Sequence, residues 1–401
     1  MPLNYIDLFA GCGGLSLGLL NAGWHGLFAV ERNQDAFLTL STNLIHKKGH
    51  YSWPEWLPKT NLDIYEVIKQ HSDKLKGLRG KVSLVVGGPP CQGFSMAGSR
   101  RSNDARNELF TAYLDFVRLV QPDTLLFENV HGFTVAFADE KGNKGDAYSK
   151  KIIDALEKEG YQTASKLIDV SQYGVPQKRK RFILVASKVF EPTLVFKRLE
   201  ENKAEFLKRK NLTETVTISQ AIGDLKKENG VVDCPDYVGF MSGLYGKTTS
   251  QYQKFMRIGQ TDTIPNSHRF VKHKDSTVTL FKKIMGDSTQ IKRYTPKNFE
   301  GLKKRSVTAL KENAVSPTVT SIPDDMIHYS EPRIPTVREL ARVQSFPDWY
   351  EFCGKYTTGG DRRKNEVPRY TQVANAVPPL FAEQVGVVLK ELIDNGRNTT
   401  F

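Results

Sequence analysis

The stretch YIDLFAGCGGLSLGLLNA, residues 5–22, indicates how the chain begins to fold. Its apolar start, residues 5–9, predicts a buried strand, and residues 16–22 predict a helix. The glycines between them permit a tight turn and let the backbone approach a ligand closely. A strand that passes through such a turn into a helix is typical of the first unit of an α/β fold.

The same turn limits the kinds of ligand that it could bind. The dinucleotide pattern GxGxxG would need a glycine at position 16, where the chain has Ser16. This difference disfavours a nicotinamide or flavin oxidoreductase without excluding one.

Residues 1 to about 188 alternate short apolar runs with amphipathic segments, which is the pattern of a parallel sheet covered by helices. The predicted strands are residues 5–9, 27–30, 82–86, 124–127, 164–170 and 182–186. The predicted helices include residues 16–22, 109–120 and 149–158. The last two strands are joined by only about ten residues without a helical pattern, and this short connection predicts an antiparallel edge pair.

The composition changes from about residue 189, where charged residues accumulate and the periodicity fades through residue 330. We expect a second, irregular domain there, in which basic and aromatic residues are interleaved. Such a mixture suits a surface that follows phosphates and touches base edges, although an ordinary solvated surface is an equally good interpretation. Residues 380–393 predict a helix that returns to the first domain.

Composition restricts the class of protein. Of the 401 residues, 57 are lysine or arginine and 44 are aspartate or glutamate, so the net charge of +13 favours a polyanion as partner. The four cysteines, Cys12, Cys91, Cys234 and Cys353, form no CxxC pair, which argues against a disulfide framework or a zinc site. His268 and His273 lie in a basic, aromatic stretch and are interpreted as solvated loop residues rather than metal ligands.

The segment GGPPCQGFS, residues 87–95, presents Cys91 just beyond the predicted strand 82–86. Two glycines let the chain leave the strand, and two prolines stiffen the loop because each fixes φ. Ligands of open α/β sheets bind at this carboxyl edge. A packed core cysteine is the alternative interpretation, but the flanking glycines and prolines favour a nucleophile.

Two acidic residues follow the first strands. Glu31, at the end of the second strand, can accept hydrogen bonds from a ribose diol, and Asp63 can accept one from an adenine amino group. The alternatives are a surface carboxylate for Glu31 and a turn or helix-cap residue for Asp63. Together with the glycine turn, they predict an adenosine-containing cofactor and do not require that the protein bind a pyrophosphate.

The predicted strand 124–127 delivers Glu128 and Asn129 to the same edge as Cys91. In an apolar pocket a glutamate can stay protonated or share a proton with a ring nitrogen, because burial raises its pKa. A salt-bridged glutamate at a strand end is the alternative interpretation.

The run QKRKR, residues 177–181, leads into the last predicted strand. Alternation places Gln177, Arg179 and Arg181 on one side and the two lysines on the other. The functional interpretation is a fork of donors for a carbonyl and phosphates, and the alternative is a solvated run of charge.

Six stretches of the chain resemble, in order, the motifs of the cytosine 5-methyltransferases that act on DNA, particularly the bacterial enzymes of restriction-modification systems. They are DLFAGCGG at 7–14, GGPPCQGFS at 87–95, ENV at 128–130, QKRKRF at 177–182, TVRELARVQSFPD at 336–348 and RYTQVANAVPP at 369–379. The resemblance extends over nearly the whole chain.

The resemblance implies a Rossmann-like α/β fold of the S-adenosylmethionine-dependent methyltransferases, plus a smaller, irregular target-recognition domain. It assigns residues 1–188 and 371–401 to the catalytic, cofactor-binding domain and residues 189–370 to target recognition. S-adenosylmethionine is the implied cofactor. Its expected contacts are Phe9, Ala10, Gly11, Gly13, Gly14, Glu31, Asp63, Ile64, Pro90, Leu109, Asn375 and Val377.

The resemblance also implies a mechanism in which Cys91 adds to carbon 6 of a flipped-out cytosine so that carbon 5 can accept a methyl group. Glu128 is expected to hold nitrogen 3 and the exocyclic amine, and Arg181, with Arg179 nearby, the carbonyl at carbon 2. The expected DNA contacts are Gln92, Ser95, Arg100, Arg101, Arg106, Gln177, Arg257 and Arg269.

Two positions depart from the family pattern. Ala374 replaces the glycine that usually precedes Asn375, which affects the methionine side of the cofactor pocket. Ala97 stands where some members carry a serine that contacts DNA, so the residue that fills the gap after base extrusion stays unassigned.

We expect a monomer that acts on duplex DNA in the bacterial cytoplasm, associated with the nucleoid through DNA and functionally paired with a restriction endonuclease. No apolar run approaches the ~20 residues that cross a bilayer, so we expect neither secretion nor anchoring. The alternatives are a transfer RNA cytosine methyltransferase of the same fold and a non-catalytic DNA-binding regulator. The long basic second domain favours duplex DNA, and the presence of Cys91, Glu128 and Arg181 favours an enzyme.

Overall fold

A computed structural model describes residues 3–90, 106–135, 147–288, 293–302, 305–358, 362 and 366–399, without the side chains of 106–108 and 398–399. The chain divides into two compact units. The first unit comprises residues 1–170, 179–203 and 381–401, and the second comprises residues 171–178 and 204–380. The domain boundaries expected from the sequence stay a prediction.

The first unit is built on a six-stranded sheet in the order β2-β1-β3-β4-β6-β5. Its strands are β1 Asn4–Leu8, β2 His25–Val30, β3 Leu84–Gly87, β4 Thr124–Val130, β5 Gln162–Asp169 and β6 Lys180–Ser187. Strands β1 to β4 pair in parallel. Their side chains are mostly buried, because helices cover a parallel sheet on both faces.

Strand β6 runs antiparallel to both of its neighbours, β4 and β5. The predicted mostly parallel sheet with an antiparallel edge pair is therefore confirmed. A parallel strand brings its last residues to the carboxyl edge of the sheet, whereas β6 brings its first residues there. Arg181, near the start of β6, accordingly lies opposite Val130, the last residue of β4.

The helices of the first unit connect these strands. They are α1 Gly14–Asn21, α2 Gln34–Leu40, α3 Ile64–Lys76, α4 Arg106–Val120 and α5 Tyr148–Lys158, with a π-helical turn at Ser41–Lys47, and α6 Thr193–Arg209 begins in this unit. Helix α5 has a narrow apolar face, on which Ile152 and Leu156 are buried. Within the described residues, no helix combines the length and hydropathy needed to cross a bilayer.

Helix α12, Pro379–Thr399, belongs to the first unit from residue 381 onward. It packs directly on α1, because a Cβ at Gly386 would lie 2.9 Å from the Cβ of Ala22. The indole N–H of Trp24 donates to the carbonyl of Gly386 at 2.8 Å. The last helix thus completes the hydrophobic core that the first helix begins.

The described part of the second unit contains short elements and long loops. Its helices are α7 Ile218–Ile222, α8 Gln251–Met256, α9 Asp275–Met285, α10 Val337–Val343 and α11 Arg369–Asn375. Its strands pair as β7 Val231–Asp233 with β8 Met241–Gly243 and β9 Thr308–Ala309 with β10 Met326–Ile327. This irregular texture agrees with the fading periodicity of the sequence.

Candidate active site

The glycine turn after β1 is built from left-handed backbone. Phe9, Gly11 and Gly13 have φ values of 57°, 57° and 85°, which glycine adopts readily and other residues rarely do. A Cβ at Gly11 would meet nothing within 4 Å, so the space beside this residue is open. Gly13 forms the N-cap of α1, and Gly14 begins the helix. The turn therefore presents open backbone at the N-terminus of α1.

Glu31 follows β2 and ties that strand to the turn. Its carboxylate accepts a hydrogen bond from the N–H of Gly11 at 2.8 Å and one from the N–H of Asn33 at 2.6 Å. Burial raises the pKa of Glu31, although these backbone donors act in the opposite direction. A carboxylate has about four acceptor positions, so Glu31 keeps capacity to accept a ligand hydroxyl beyond its backbone donors.

Asp63 is the N-cap of α3. Its Oδ1 accepts from the N–H of Tyr65 at 2.9 Å, and its Oδ2 lies 3.4 Å from Nε of the exposed Arg32. The preceding residue, Leu62, donates its N–H to the carbonyl of Glu31 at 2.8 Å. The helix-cap interpretation of Asp63 is thus correct, and the cap also brings Asp63 close to Glu31 at the edge of the sheet, while Ile64 beside it is buried.

A chain of buried polar side chains lies behind the turn. Ser16 donates to the carboxylate of Asp7 at 2.5 Å and lies 2.6 Å from the hydroxyl of Tyr51. The Tyr5 hydroxyl contacts both Tyr51, at 3.3 Å, and Nε2 of His50, at 2.7 Å. Burial raises the pKa of Asp7 to about 7, although the hydrogen bond from Ser16 lowers it. Sequence reasoning missed this chain; its signal was a charged residue inside the apolar run YIDLF.

The segment that leads to Cys91 is packed against Glu128. A Cβ at Gly88 would lie 2.7 Å from the carbonyl oxygen of Glu128 and 3.0 Å from its Oε2. Asn129 donates its side-chain N–H to the carbonyl of Pro89 at 3.2 Å. The glycine is therefore required by close approach, and the ENV and GGPP stretches meet at the carboxyl edge.

Five expected site residues lie outside the described residues, and three others differ in exposure. Cys91, Gln92, Ser95, Arg100 and Arg101 lie outside the described residues, as does the side chain of Arg106. Pro90 is exposed, while Leu109, in α4, and Ala10, in the glycine turn, are partly buried.

Glu128 and Arg181 form an ion pair across β4 and β6. Nε of Arg181 lies 2.7 Å from Oε1 of Glu128, and the two side chains are 12% and 14% exposed. The alternative interpretation of Glu128, a salt-bridged strand-end glutamate, thus describes the geometry correctly. Because the pair is nearly buried and lies beside Gly88, it is also positioned to meet a ligand at this edge.

Burial along residues 177–181 alternates as expected. Gln177 and Arg179 are buried and Arg181 is largely so, whereas Lys178 and Lys180 are exposed. The backbone N–H of Arg179 donates to Asp169 at 3.2 Å, next to the pairing of β5 and β6. The expected one-sided fork is thus confirmed in orientation, while its ligand stays a prediction.

Gln177 belongs to the second unit and has its amide fully engaged there. Its N–H donates to Oε1 of Gln344 at 2.7 Å, and its own Oε1 accepts from the N–H of Val319 at 2.9 Å. Gln344 in turn donates to the carbonyl of Val373 at 2.7 Å, near the exposed Asn375 at the end of α11. The two glutamines therefore hold together the segments that carry three of the six motifs, and Val377, just after α11, is partly buried.

A family model described as C-5 cytosine-specific DNA methylase matches residues 3–391 of the chain. The chain belongs to this family. It is an enzyme that methylates cytosine, and its substrate is DNA.

Individual relatives agree with this assignment. The type II methyltransferase M.DdeI of Desulfomicrobium norvegicum is 30% identical over 98% of this chain and 90% of its own length. M.XorII of Xanthomonas oryzae is 28% identical over 95% of this chain and 83% of its length. A crystal structure of a prophage-encoded protein from E. coli, described as a DNA modification methyltransferase, covers 98% of this chain and 99% of its own with a TM-score of 0.66 at 23% identity. That likeness supports the α/β methyltransferase fold.

Two arginines expected to contact DNA are engaged inside the second unit of this methylase. Arg257 binds Asp224 and donates to the carbonyl of Gly246 at 2.7 Å. Arg269 is only 6% exposed, and its guanidinium lies among aromatic rings. These contacts favour a structural role, so both DNA contacts stay untested predictions that the geometry does not support.

His268 corrects another expectation. The sequence suggested a solvated loop residue, but His268 is buried, with Nδ1 2.8 Å from the Thr336 hydroxyl and Nε2 2.9 Å from the carbonyl of Leu225. Burial lowers the pKa of His268 to about 4. Within the described ranges, no group of three or more histidine, cysteine, aspartate or glutamate residues has the arrangement of a metal site.

Proposed function

We propose that this methylase transfers a methyl group from S-adenosylmethionine to carbon 5 of a flipped-out cytosine in a specific duplex DNA sequence, through a covalent Cys91 adduct at carbon 6. The observation that supports this most directly is the contact of Gly88 with Glu128, because it places the segment leading to Cys91 against the Glu128–Arg181 pair. Nucleophile and base-holding groups must meet at one place for this reaction.

The ion pair brings together a donor and an acceptor that complement one edge of cytosine. The carbonyl at carbon 2, nitrogen 3 and the amine at carbon 4 are adjacent on the ring, and Arg181 and Glu128 are adjacent at 2.7 Å. In this proposal Arg181 donates to the carbonyl, while Glu128 accepts from the amine and shares a proton with nitrogen 3. Their mutual contact orients both side chains before the base binds, so that less orientational freedom is lost on binding.

Cys91 would supply the covalent step. Its thiolate forms a bond to carbon 6, which makes carbon 5 nucleophilic, and loss of the carbon 5 proton after methylation expels the sulfur. A ring inside a duplex cannot be reached this way, so the base must leave the stack at a cost of a few kcal/mol.

The first unit fits an adenosyl cofactor. S-adenosylmethionine, when bound, supplies an electrophilic methyl group. The open space beside Gly11 and the remaining acceptor capacity of Glu31 suit the approach of a ribose, and Asp63 lies nearby through the Leu62–Glu31 hydrogen bond. Phe9, Ile64, Pro90, Leu109, Asn375 and Val377 stay proposed contacts.

The biological setting is part of the proposal. The relatives are type II methyltransferases, which supports pairing with a restriction endonuclease and protection of host DNA. A monomer that acts in the cytoplasm, on DNA of the nucleoid, suits this role. The alternatives considered from the sequence, an RNA cytosine methyltransferase and a non-catalytic regulator, are disfavoured by the family match. Parallel assays of methyl transfer to duplex DNA and to transfer RNA test this preference.

The Cys91→Ser variant tests the covalent step. We expect methyl transfer to become undetectable while DNA and cofactor binding persist, because a serine hydroxyl is a far weaker nucleophile than a thiolate. Transfer of radiolabelled methyl to DNA measures activity, and duplex DNA with 5-fluorocytosine traps the wild-type adduct. Substantial turnover by the variant, or a trapped complex that survives the substitution, would contradict the proposal.

The Glu128→Gln variant tests the base-holding role. We expect kcat to fall about 10²- to 10⁴-fold, as for loss of a positioned proton-transfer group, with a smaller change in KM for DNA. The exposed acid Glu205, which pairs with Arg209 on α6, offers the matched control Glu205→Gln, expected to retain activity. Equal kcat for Glu128→Gln and wild type would rule out the role.

A further inference from the structure

The hairpin β7–β8 of the second unit carries a loop, residues 234–240, whose surface the proposed chemistry leaves unexplained. The strands pair with Val231 opposite Gly243 and Asp233 opposite Met241. The loop closes through the N–H of Cys234, which donates to the carbonyl of Phe240 at 2.8 Å. Gly239 turns the chain with a φ of 80°, which suits a glycine.

Polar anchors hold this hairpin loop in place. Asp236 binds the guanidinium of Arg369 and accepts from the Tyr356 hydroxyl at 2.9 Å. Strand β8 is joined to the rest of the unit, because Phe270 donates its N–H to the carbonyl of Met241 at 2.8 Å. The loop is therefore tied at its base, along one side and through Asp236.

An arginine surrounded by aromatic rings packs against the buried side of the loop. The guanidinium of Arg269 lies 4.6 Å from the ring centre of Tyr237, 4.2 Å from that of Phe240 and 3.9 Å from that of Tyr356. Cation–π contacts of this kind stabilise a desolvated guanidinium. These contacts explain why Arg269 is buried, and they hold one side of the loop in place.

On its exposed side the hairpin presents apolar side chains to solvent. Val238 is 97% exposed, Tyr237 48% and Met241 39%. A single exposed apolar residue needs no explanation, but here three are grouped on one anchored hairpin. The anchoring contacts stabilise the loop but do not account for the exposed apolar side chains on it, whereas a bound partner would.

Duplex DNA is the partner that the surroundings favour. The exposed Lys272 lies with its Nζ 5.5 Å from the ring centre of Phe240, and the exposed Lys274 follows two residues later. Ammonium groups beside an apolar tip suit phosphates beside a groove. A valine offers only methyl groups, and the apolar feature of base edges in the major groove is the 5-methyl of thymine.

We infer that the hairpin loop contacts DNA in the major groove and that Val238 packs against a thymine methyl within or beside the recognition sequence. This inference rests on the proposed function, since it makes Val238 a specificity residue for that reaction. It assigns recognition to an apolar contact, whereas Arg257 and Arg269 are engaged within the protein.

The test combines a protein change with a DNA change. Bisulfite sequencing of DNA methylated by the wild-type protein first defines the recognition sequence. Each thymine in and beside it is then replaced by uracil, which lacks the methyl, and KM for DNA is measured for wild type and Val238→Ala. At one position we expect the replacement to raise KM about fivefold for wild type and less than about twofold for Val238→Ala, because the variant has already lost the contact.

A control separates this loop from exposed apolar surface in general. Ile258 is 65% exposed in the same unit, and Ile258→Ala is expected to respond to uracil as wild type does. Because Val238 is exposed, its replacement leaves the fold intact, and unchanged cofactor affinity verifies this.

The outcomes are distinguishable. Absence of methylation by the wild-type protein would refute the proposed function. Methylation with equal uracil effects in wild type and Val238→Ala, or a recognition sequence neither containing nor flanked by thymine, would refute the inference alone.

Discussion

Buried carboxyl groups are stabilised in opposite ways in the two units. In the first unit Asp7 is held by the Ser16 hydroxyl and Glu31 by backbone N–H groups, and burial raises the pKa of both. In the second unit burial would likewise raise the pKa of Glu339, but Arg333 holds it at about 2. Asp348 behaves like Glu339, because the adjacent Arg342 lowers its pKa against the effect of burial.

The difference lies in the hydrogen-bond donors, which are neutral for the carboxyls of the first unit and cationic for those of the second. Arg333 engages both oxygens of Glu339, at 2.7 and 2.8 Å, and thereby satisfies the carboxylate internally. Neutral donors leave the carboxyl of Glu31 incompletely neutralised, so that a bound ligand would add to its stabilisation. The ion pair of Glu128 with Arg181 is intermediate, since its charges are paired but lie at the sheet edge.

The largest effect on stability is expected from Arg342→Leu, which removes a buried arginine from its ion pairs. Arg342 joins Asp348, at 2.7 and 2.9 Å, to Asp224, and its loss leaves two buried carboxyls without their common partner. We expect the free energy of unfolding to fall by about 3–5 kcal/mol. Urea denaturation followed by circular dichroism measures it.

An exposed ion pair supplies the control for Arg342→Leu. Arg209 pairs with Glu205 on α6, and its side chain is 73% exposed, so Arg209→Leu is expected to change stability by less than about 0.5 kcal/mol. Equal losses of stability in the two variants would show that the buried ion pairs contribute no more than the exposed one.

A smaller, pH-dependent effect is expected from Asp7→Asn. Asp7 ionises near pH 4 in the unfolded chain but near pH 7 in the folded one, so the wild type loses stability as pH rises between these values and stays level above them. The asparagine does not titrate and keeps an oxygen for Ser16. We expect Asp7→Asn to exceed wild type by on the order of 2 kcal/mol at pH 8 and to match it near pH 4. Denaturation curves that differ by the same amount at both pH values would show that Asp7 titrates normally.

The smallest effect is expected from Glu31→Gln. The amide keeps one acceptor for Gly11 or Asn33 but loses the carboxylate that a ribose would contact. We expect the Kd for S-adenosylmethionine to rise about tenfold, as for one charge-assisted hydrogen bond. Calorimetric titration measures it, with the affinity for DNA as reference; an unaltered cofactor Kd would exclude Glu31 from the binding site.

The sequence predicted the first unit well because its signals are local. Alternating apolar runs located all six strands within a few residues, and the short link before β6 predicted its antiparallel direction. The edge position of Glu128 and Arg181 followed from these strands. Their 2.7 Å pairing did not, because it depends on the register of β4 against β6.

The second unit was harder to predict because distant residues determine what its charges do. A basic stretch of sequence has the same composition whether its arginines contact phosphates or buried side chains. Arg257 meets Asp224, which lies 33 residues away, and Arg269 meets Tyr356, which lies 87 residues away. Only the folded chain brings these partners together, so composition identified the basic character of the region but not the burial of individual arginines.

The contact between Trp24 and Gly386 has a consequence for synthesis of the protein on the ribosome. Helix α1 emerges early, yet the surface it needs belongs to α12, which is translated after the entire second unit. A nascent chain therefore exposes part of its first hydrophobic core until α12 has been translated. Termination before α12 should yield an aggregation-prone fragment, so that only a message that extends through α12 would give a competent enzyme.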